Sequence, residues 1–443
     1  MVTCTTVVLA SLTGALAGSL LACVPGLHVY NVIALIVVFS VRLGSAAVLP
    51  TEALACAVIG LVVAYAMLST IPSILLAAPD ESAFFTTLPG QRYLQDGRGY
   101  AAVWLTVVGS LAGVMATAAG YVLAAPCLLP TVWLVFRPHT HWVLWCVIAF
   151  MLLSEWPKGG SLGQAGVHKL AAAWTSLGAG LLTFLLSAML GFILLHRSPM
   201  APEAAFQNLM PAFIGLFTVP WLLLNGLSRT EIPAQRIEKR IVLERRTFLQ
   251  GALAGVLGGG FAAFFPVITG GVGAFLAGHA TALRNDRAFM ISQGAARMVY
   301  YAGGLLLLFV PGAALVRGGA AAMLRTLFTP FDRVDFWMAA AAMLIAAASV
   351  CLLARPLTCG VLRAMAVCGY RAISWASLGL VALIVFAVTG LMGVLVALVA
   401  AAIGLIPLLC GARRMNCLGV ILLPMACNLS GFGPQVAAWL GLQ

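Results

Sequence analysis

The sequence predicts an all-α polytopic integral membrane protein. About 10–12 membrane segments are expected, in two inverted structural repeats with broken or re-entrant helices. Three observations predict this: the composition, apolar runs interrupted by Pro and Gly, and one short string that opens both halves of the chain.

Of 443 residues, 63% are hydrophobic and only 8% charged, with a mean hydropathy of +1.08. A soluble domain carries about 25% charge. The composition therefore excludes a soluble globular enzyme, a disordered chain and a nucleic-acid-binding domain. The formal charge of +12 fits basic residues placed in short loops under the positive-inside rule, so no nucleic acid is expected as partner. The cysteines form no C-x-x-C pair and most lie in apolar runs, as small membrane-core residues do. No metal site is expected.

The first apolar stretch, 2–41, is about twice one span and is interrupted by Pro25-Gly26-Leu27-His28. Pro removes a backbone donor and Gly loosens the helix, so a broken helix or hairpin follows. No charge precedes Arg42, so the run reads as a membrane segment and not as a cleavable signal. A second span covers 46–69. The segment 71–81 is too short to cross, holds Pro72 and Pro79, and ends on Asp80 and Glu81. A re-entrant segment is the natural reading. Residues 89–99 are a polar loop. A span at 100–125, an irregular stretch at 126–153 and a strong span at 170–195 follow. The stretch 206–227 carries Pro211 and Pro220 and reads as another broken segment.

Residues 228–247 are the most water-like, with six basic and three acidic side chains among 20. Ile237 and Ile241 stand one turn apart among charges, which predicts a short helix lying on the cytoplasmic membrane surface. The segment divides the chain into an N-terminal membrane repeat, 1–227, a connecting loop, 228–247, and a C-terminal repeat, 248–443. The second half opens on a long apolar run, 248–282, broken at Phe265-Pro266-Val267 and Thr269-Gly270-Gly271. A loop with Arg284, Asp286 and Arg287 comes next. Spans are expected at 290–310, 336–354, 374–395 and 396–409, the last two as one region interrupted at Gly390 and Gly393. Pro424 and Pro434 disturb the stretch 416–440.

Gly14-Ala15-Leu16-Ala17-Gly18 recurs as Gly251-Ala252-Leu253-Ala254-Gly255, and a Pro-containing break follows each. Interrupted segments at matching positions of two halves point to a transporter binding site. A helix broken at mid-membrane exposes N–H groups that favour anions and carbonyls that can hold Na⁺. The candidate substrate site is therefore Pro25, Gly26, His28 and Asn31 with Pro266, Thr269, Gly270 and Gly271. Gln293 and Arg297 join them, because a positive charge inside a span is expensive unless it faces a cavity or a partner. Ser73, Pro79, Asp80 and Glu81 are the candidate coupling-ion ligands, with Asp80 as first choice. No zinc-protease or phosphate-loop motif occurs, and neither an enzyme nor an ATP-driven pump is expected.

The residues Ile71-Pro72-Ser73 through Pro79-Asp80-Glu81, then Leu88-Pro89-Gly90, Gly97-Arg98-Gly99-Tyr100 and Gly109-Ser110, resemble the signature region of the tripartite tricarboxylate transporter permeases. These are the TctA large membrane subunits, and the likeness is greatest to their archaeal-type branch. The broken segment from Gly18 to Pro25-Gly26 and the stretch from Arg413-Arg414 to Pro424 resemble further motifs of that family. The resemblance implies a secondary carrier with two related halves, carboxylate substrates and coupling to an ion gradient. It also implies two partners, a small membrane subunit and an extracytoplasmic solute-binding protein. Bacterial permeases carry Pro-Gly after the Ile-Pro segment, whereas this chain has Pro79-Asp80-Glu81, and Phe265-Pro266-Val267 stands at the second Pro-Gly position. Two acids would repel an anion unless cations or protons neutralise them.

The expectation is a multi-pass carrier in the cytoplasmic membrane, moving a di- or tricarboxylate with Na⁺ or H⁺ and needing no other cofactor. The alternatives are a carrier or flippase of a lipid-linked phosphate, and a non-transporting scaffold subunit. Membrane lipids are its surroundings in each case.

Overall fold

The computed structural model describes residues 3–43, 50–155, 166–200, 207–228, 231–238, 240–283, 285–313, 315–330 and 332–442. Arg284 lies outside them. The first half runs α1 (Cys4–Leu21), α2 (Val29–Leu43), α3 (Thr51–Leu68), α4 (Thr70–Leu75), α5 (Phe84–Gln95), α6 (Gly99–Ala119), α7 (Ala125–Phe136), α8 (Thr140–Leu153) and α9 (Val167–His196). It closes with α10 (Met210–Phe213) and α11 (Val219–Leu227). The second half holds α12 (Arg245–Phe264), α13 (Gly270–Ala280), α14 (Asp286–Met298), α15 (Gly304–Leu306), α16 (Gly318–Arg325), α17 (Arg333–Cys368), α18 (Tyr370–Leu409), α19 (Gly419–Leu429) and α20 (Gly433–Trp439). No strand occurs among the described residues.

Eight stretches among the described residues are long and apolar enough to cross a membrane, or nine if the bent pair Arg414–Leu429 and Gly433–Trp439 is one span. The protein is thus an all-α, multi-pass membrane protein. That pair turns by 118°, in the region that Pro424 and Pro434 disturb. The expected spans 374–395 and 396–409 are one element, α18, interrupted at Gly390 with φ 68°.

The described residues form two compact units. Unit 1 takes 1–135 and 225–377, and unit 2 takes 136–224 and 378–443. In unit 1 the repeated pentapeptide does the same work twice. A Cβ on Gly14 would collide with the Ala57 carbonyl, and one on Gly18 would stand 2.7 Å from that of Leu61, so α1 lies backbone to backbone on α3. In the second half, a Cβ on Gly251 would lie 2.5 Å from the Ala288 carbonyl, and one on Gly255 would collide with that of Ser292, so α12 lies on α14 in the same way. Small residues permit this approach, which supplies packing where lipid offers no hydrophobic drive. The longer pairings also match. α14 packs on α6 and α17 on α3; α13 packs on α5 and α16 on α2. Each broken segment of one half thus meets an element of the other.

Among its described residues the charged segment forms no surface helix before α12 begins. Residues 231–238 carry no regular structure. Pro233 offers no donor, and charges on every side leave no apolar stripe to hold a helix down. The segment is strapped to unit 1 instead. Gln235 Oε1 accepts from Gly99 N at 2.8 Å, its Nε2 donates to Leu94 O at 2.8 Å, and Arg236 N donates to Gly97 O at 2.8 Å. Glu238 pairs with Arg98 at 3.3 Å.

In unit 2, α8 and α9 pack on α19. A Cβ on Gly191 would collide with the Val420 carbonyl, and Trp145 Nε1 donates to Ser430 Oγ at 2.9 Å.

Candidate functional site

The three breaks that position the site each turn on a left-handed residue: Gly26 (φ 73°), Ala77 (φ 49°) and Val267 (φ 69°). Gly adopts that conformation freely. Ala does so at a cost, and for a β-branched Val it is a genuine outlier. Such strain persists only where surrounding contacts over-determine it.

At the second break, α4 ends and the chain folds back, Ala78 N donating to Pro72 O at 3.1 Å. This delivers Asp80 to the start of a new turn. Its Oδ1 accepts from Ser82 N (2.9 Å), Ser82 Oγ (2.9 Å) and Ala83 N (2.6 Å). Its Oδ2 accepts from Tyr65 OH (2.7 Å) and Arg297 Nη2 (2.8 Å). Five donors therefore converge on one carboxylate, inside the protein.

Arg297, near the end of α14, is wholly buried. A buried ion pair is tolerable only when hydrogen bonds satisfy the rest of each group. Nη2 also donates to Ser69 Oγ (2.6 Å) and Nε to Ser82 Oγ (3.1 Å). Nη1 has no partner. One turn earlier on the same helix, Gln293 is also wholly buried, and neither its amide oxygen nor its nitrogen has a partner. Two polar side chains at i and i+4 share a helix face, so these orphaned groups point the same way.

The first break brings in His28 at the head of α2. Its Nδ1 accepts from Tyr30 N at 3.1 Å. A neutral ring then carries its proton on Nε2, which lies 3.0 Å from both Glu81 Oε1 and Tyr301 OH. Tyr301 OH is in turn 2.9 Å from Ser82 Oγ. Ser82 Oγ gives its proton to Asp80, so Tyr301 donates to Ser82 and accepts from His28. The result is a directed chain from His28 through Tyr301 and Ser82 to Asp80. Glu81 competes with Tyr301 for the one imidazole proton.

The third break closes the floor. Thr269 caps α13, accepting from Val272 N at 3.4 Å. A Cβ on Gly270 would stand 3.1 Å from Arg297 Cα, and one on Gly271 would collide with the Ser82 carbonyl. The N-terminal turn of α13 is thereby held against the backbone at Arg297 and Ser82. Pro266 and Val267 line a cavity of about 20 Å³ with Tyr30, Tyr300, Tyr301 and Arg317, room for about one water.

His28, Asp80, Glu81, Arg297 and the Thr269–Gly271 turn thus come together, with Gln293 one turn from Arg297. Ser73 is spent within its own helix, donating to Ser69 O at 2.8 Å. Pro25, Gly26 and Pro79 shape breaks. Asn31 is buried one turn beyond His28, its Nδ2 without a partner. Sequence reasoning missed Tyr65, Ser69, Ser82 and Tyr301. Spacing held the signal: Tyr65 and Ser69 are four residues apart, as are Arg297 and Tyr301.

Broken helices meeting over buried charges, among apolar helices of membrane length, define a polytopic membrane protein. The tripartite tricarboxylate transporter TctA family matches residues 8–419, and the chain belongs to that family. An uncharacterised protein of Methanocaldococcus jannaschii is 25% identical over 281 residues, which cover 63% of this chain and 63% of that relative. No solved structure matches.

Proposed function

We propose that the protein is the large permease subunit of a secondary carrier in the cytoplasmic membrane. It moves a small di- or tricarboxylate, with its two halves arranged as inverted repeats. The observation that carries this reading is the free Nη1 of wholly buried Arg297 beside the unpartnered Gln293 amide. A substrate carboxylate accepts from Arg297 Nη1 and the Gln293 amide, at the positive end of α13. Such charge-assisted bonds are the strong ones.

Asp80, surrounded by donors, orients Arg297 and leaves Glu81 as the coupling group. With His28 neutral, two carboxylates against one guanidinium leave an excess negative charge that opposes the substrate. A proton or Na⁺ at Glu81 removes it, and loading the cation thereby permits loading the anion. The family's small membrane subunit and extracytoplasmic binding protein are the expected partners.

The test is thermal unfolding of the detergent-purified chain with citrate, malate or succinate, each with and without Na⁺ at two pH values. A ligand at 100 times its Kd stabilises by about 2.7 kcal/mol. One carboxylate should raise the midpoint, and Arg297→Gln and Gln293→Ala should each abolish the rise. An equal rise in Arg297→Gln would place the substrate elsewhere.

A further inference from the structure

Unit 2 holds a second buried cation, in the Arg413-Arg414 stretch that the carrier site does not use. Arg414 opens the short 3-10 turn Arg414–Leu418 that leads into the bent pair α19–α20. It is 9% exposed. Its Nη2 donates to Leu216 O at 2.8 Å and Phe217 O at 2.6 Å. Both carbonyls belong to the π turn Ile214–Thr218, whose wider winding frees backbone acceptors.

Nε and Nη1 of Arg414 have no partner, and neither does the buried Trp221 Nε1. The guanidinium carbon lies 5.6 Å from the Phe217 ring centroid and 5.8 Å from that of Trp221. Ring faces attract the cation but offer no oxygen or nitrogen acceptor to these N–H groups. Among the described residues no carboxylate pairs with Arg414. The nearby Glu155 instead accepts from Arg413 N at 2.7 Å and Asn416 Nδ2 at 3.1 Å. One N–H on Nε, two on Nη1 and one on the indole are thus left over around an uncompensated charge. A bare cation is costly in a membrane protein.

We propose that Arg414 and Trp221 form an oxyanion site that takes a phosphate group. Phosphate brings the missing charge and enough oxygens for several N–H donors. Arg414 follows the exposed turn Cys410–Gly411 that ends the apolar, membrane-length helix α18, and the ends of such helices lie near the lipid headgroups. The phosphate comes from an anionic phospholipid headgroup or from free phosphate. This site shares no residue with the one around Arg297, and it stands or falls apart from the carrier reading.

The experiment is thermal unfolding of the full chain in detergent, titrated with phosphatidylglycerol, a phosphate-free glycolipid or inorganic phosphate. It is run on the parent and on Arg297→Gln, Trp221→Phe and Arg414→Gln. Phosphatidylglycerol or inorganic phosphate should raise the midpoint in the parent and equally in Arg297→Gln. Trp221→Phe keeps the ring and removes one donor, and should weaken the apparent affinity about five- to tenfold. Arg414→Gln should abolish the effect; if it fails to fold, Trp221→Phe decides. A response to the lipid alone assigns the headgroup, and one to inorganic phosphate assigns the free ion. No response to either, or an undiminished response in Trp221→Phe, overturns the proposal and leaves Arg414 as a clamp on the π turn.

Discussion

Replacing Asp80 by Asn asks whether this carboxylate exists to hold Arg297. Oδ1 receives Ser82 N, Ser82 Oγ and Ala83 N at 2.6–2.9 Å, so the Asn oxygen keeps that place. The new amide nitrogen must then stand where Oδ2 was, 2.8 Å from Arg297 Nη2 and 2.7 Å from Tyr65 OH. Tyr65 can turn its proton away and accept. Arg297 cannot, because a guanidinium only donates. The variant therefore loses a charge-assisted hydrogen bond, about 1.5–3 kcal/mol, and strands a buried cation. Breaking such a pair from one side costs about 3–5 kcal/mol. Arg297→Gln is the milder change, because it removes the charge and leaves Asp80 four of its donors. The double variant carries neither charge. Denaturant unfolding of the parent, both single variants and the double variant in detergent should give a coupling energy of about 2–3 kcal/mol, with the double variant more stable than Asp80→Asn alone. Single effects that add to within about 0.5 kcal/mol would refute the pairing as the reason for Asp80.

Gly109 and Gly294 press into the backbone of the facing helix, whereas Gly120 has nothing within 4 Å of a Cβ. Gly109→Ala should cost about 1–3 kcal/mol by overpacking, while Gly120→Ala is neutral or stabilising; equal thermal midpoints would contradict the α6–α14 contact. Val267→Gly should keep or raise the midpoint by releasing left-handed strain of about 1–3 kcal/mol. Val267→Pro cannot adopt φ 69° and should lower it sharply; a matching loss in both variants would mean that the side chain, and not the backbone angle, matters there.

Much of the architecture is legible in the sequence because its signals are local. Pro25-Gly26, Ile71 to Pro79 and Phe265-Pro266-Val267 announce breaks by chemistry that acts within a turn. Asp80, Glu81 and Arg297 stand out because charge in an apolar run is costly. Their partnership is not legible, since Asp80 and Arg297 are 217 residues apart and only the fold joins them. Tyr65, Ser69 and Tyr301 are hidden for another reason. Hydroxyls are common in membrane helices, where they bond back to their own backbone, as Ser73 does. The charged segment misled because two isoleucines a turn apart imitate an amphipathic helix. What holds it is a set of backbone and amide hydrogen bonds to residues 94–99, which periodicity does not record.

The crossed pairing of the halves also bears on how the protein is made. α1 and α3 rest on α17, and α6 rests on α14, partners that come much later in the chain: Ser110 and Gly294, which meet between α6 and α14, are 184 residues apart. During synthesis the first half enters the bilayer with the Gly109–Gly113 face of α6 and the Asp80 carboxylate still without their α14 partners. It must wait there until its counterpart is inserted. Contacts of such long sequence separation form late, and the incomplete chain is the vulnerable species. The waiting half is the form on which an insertase or a quality-control protease would act.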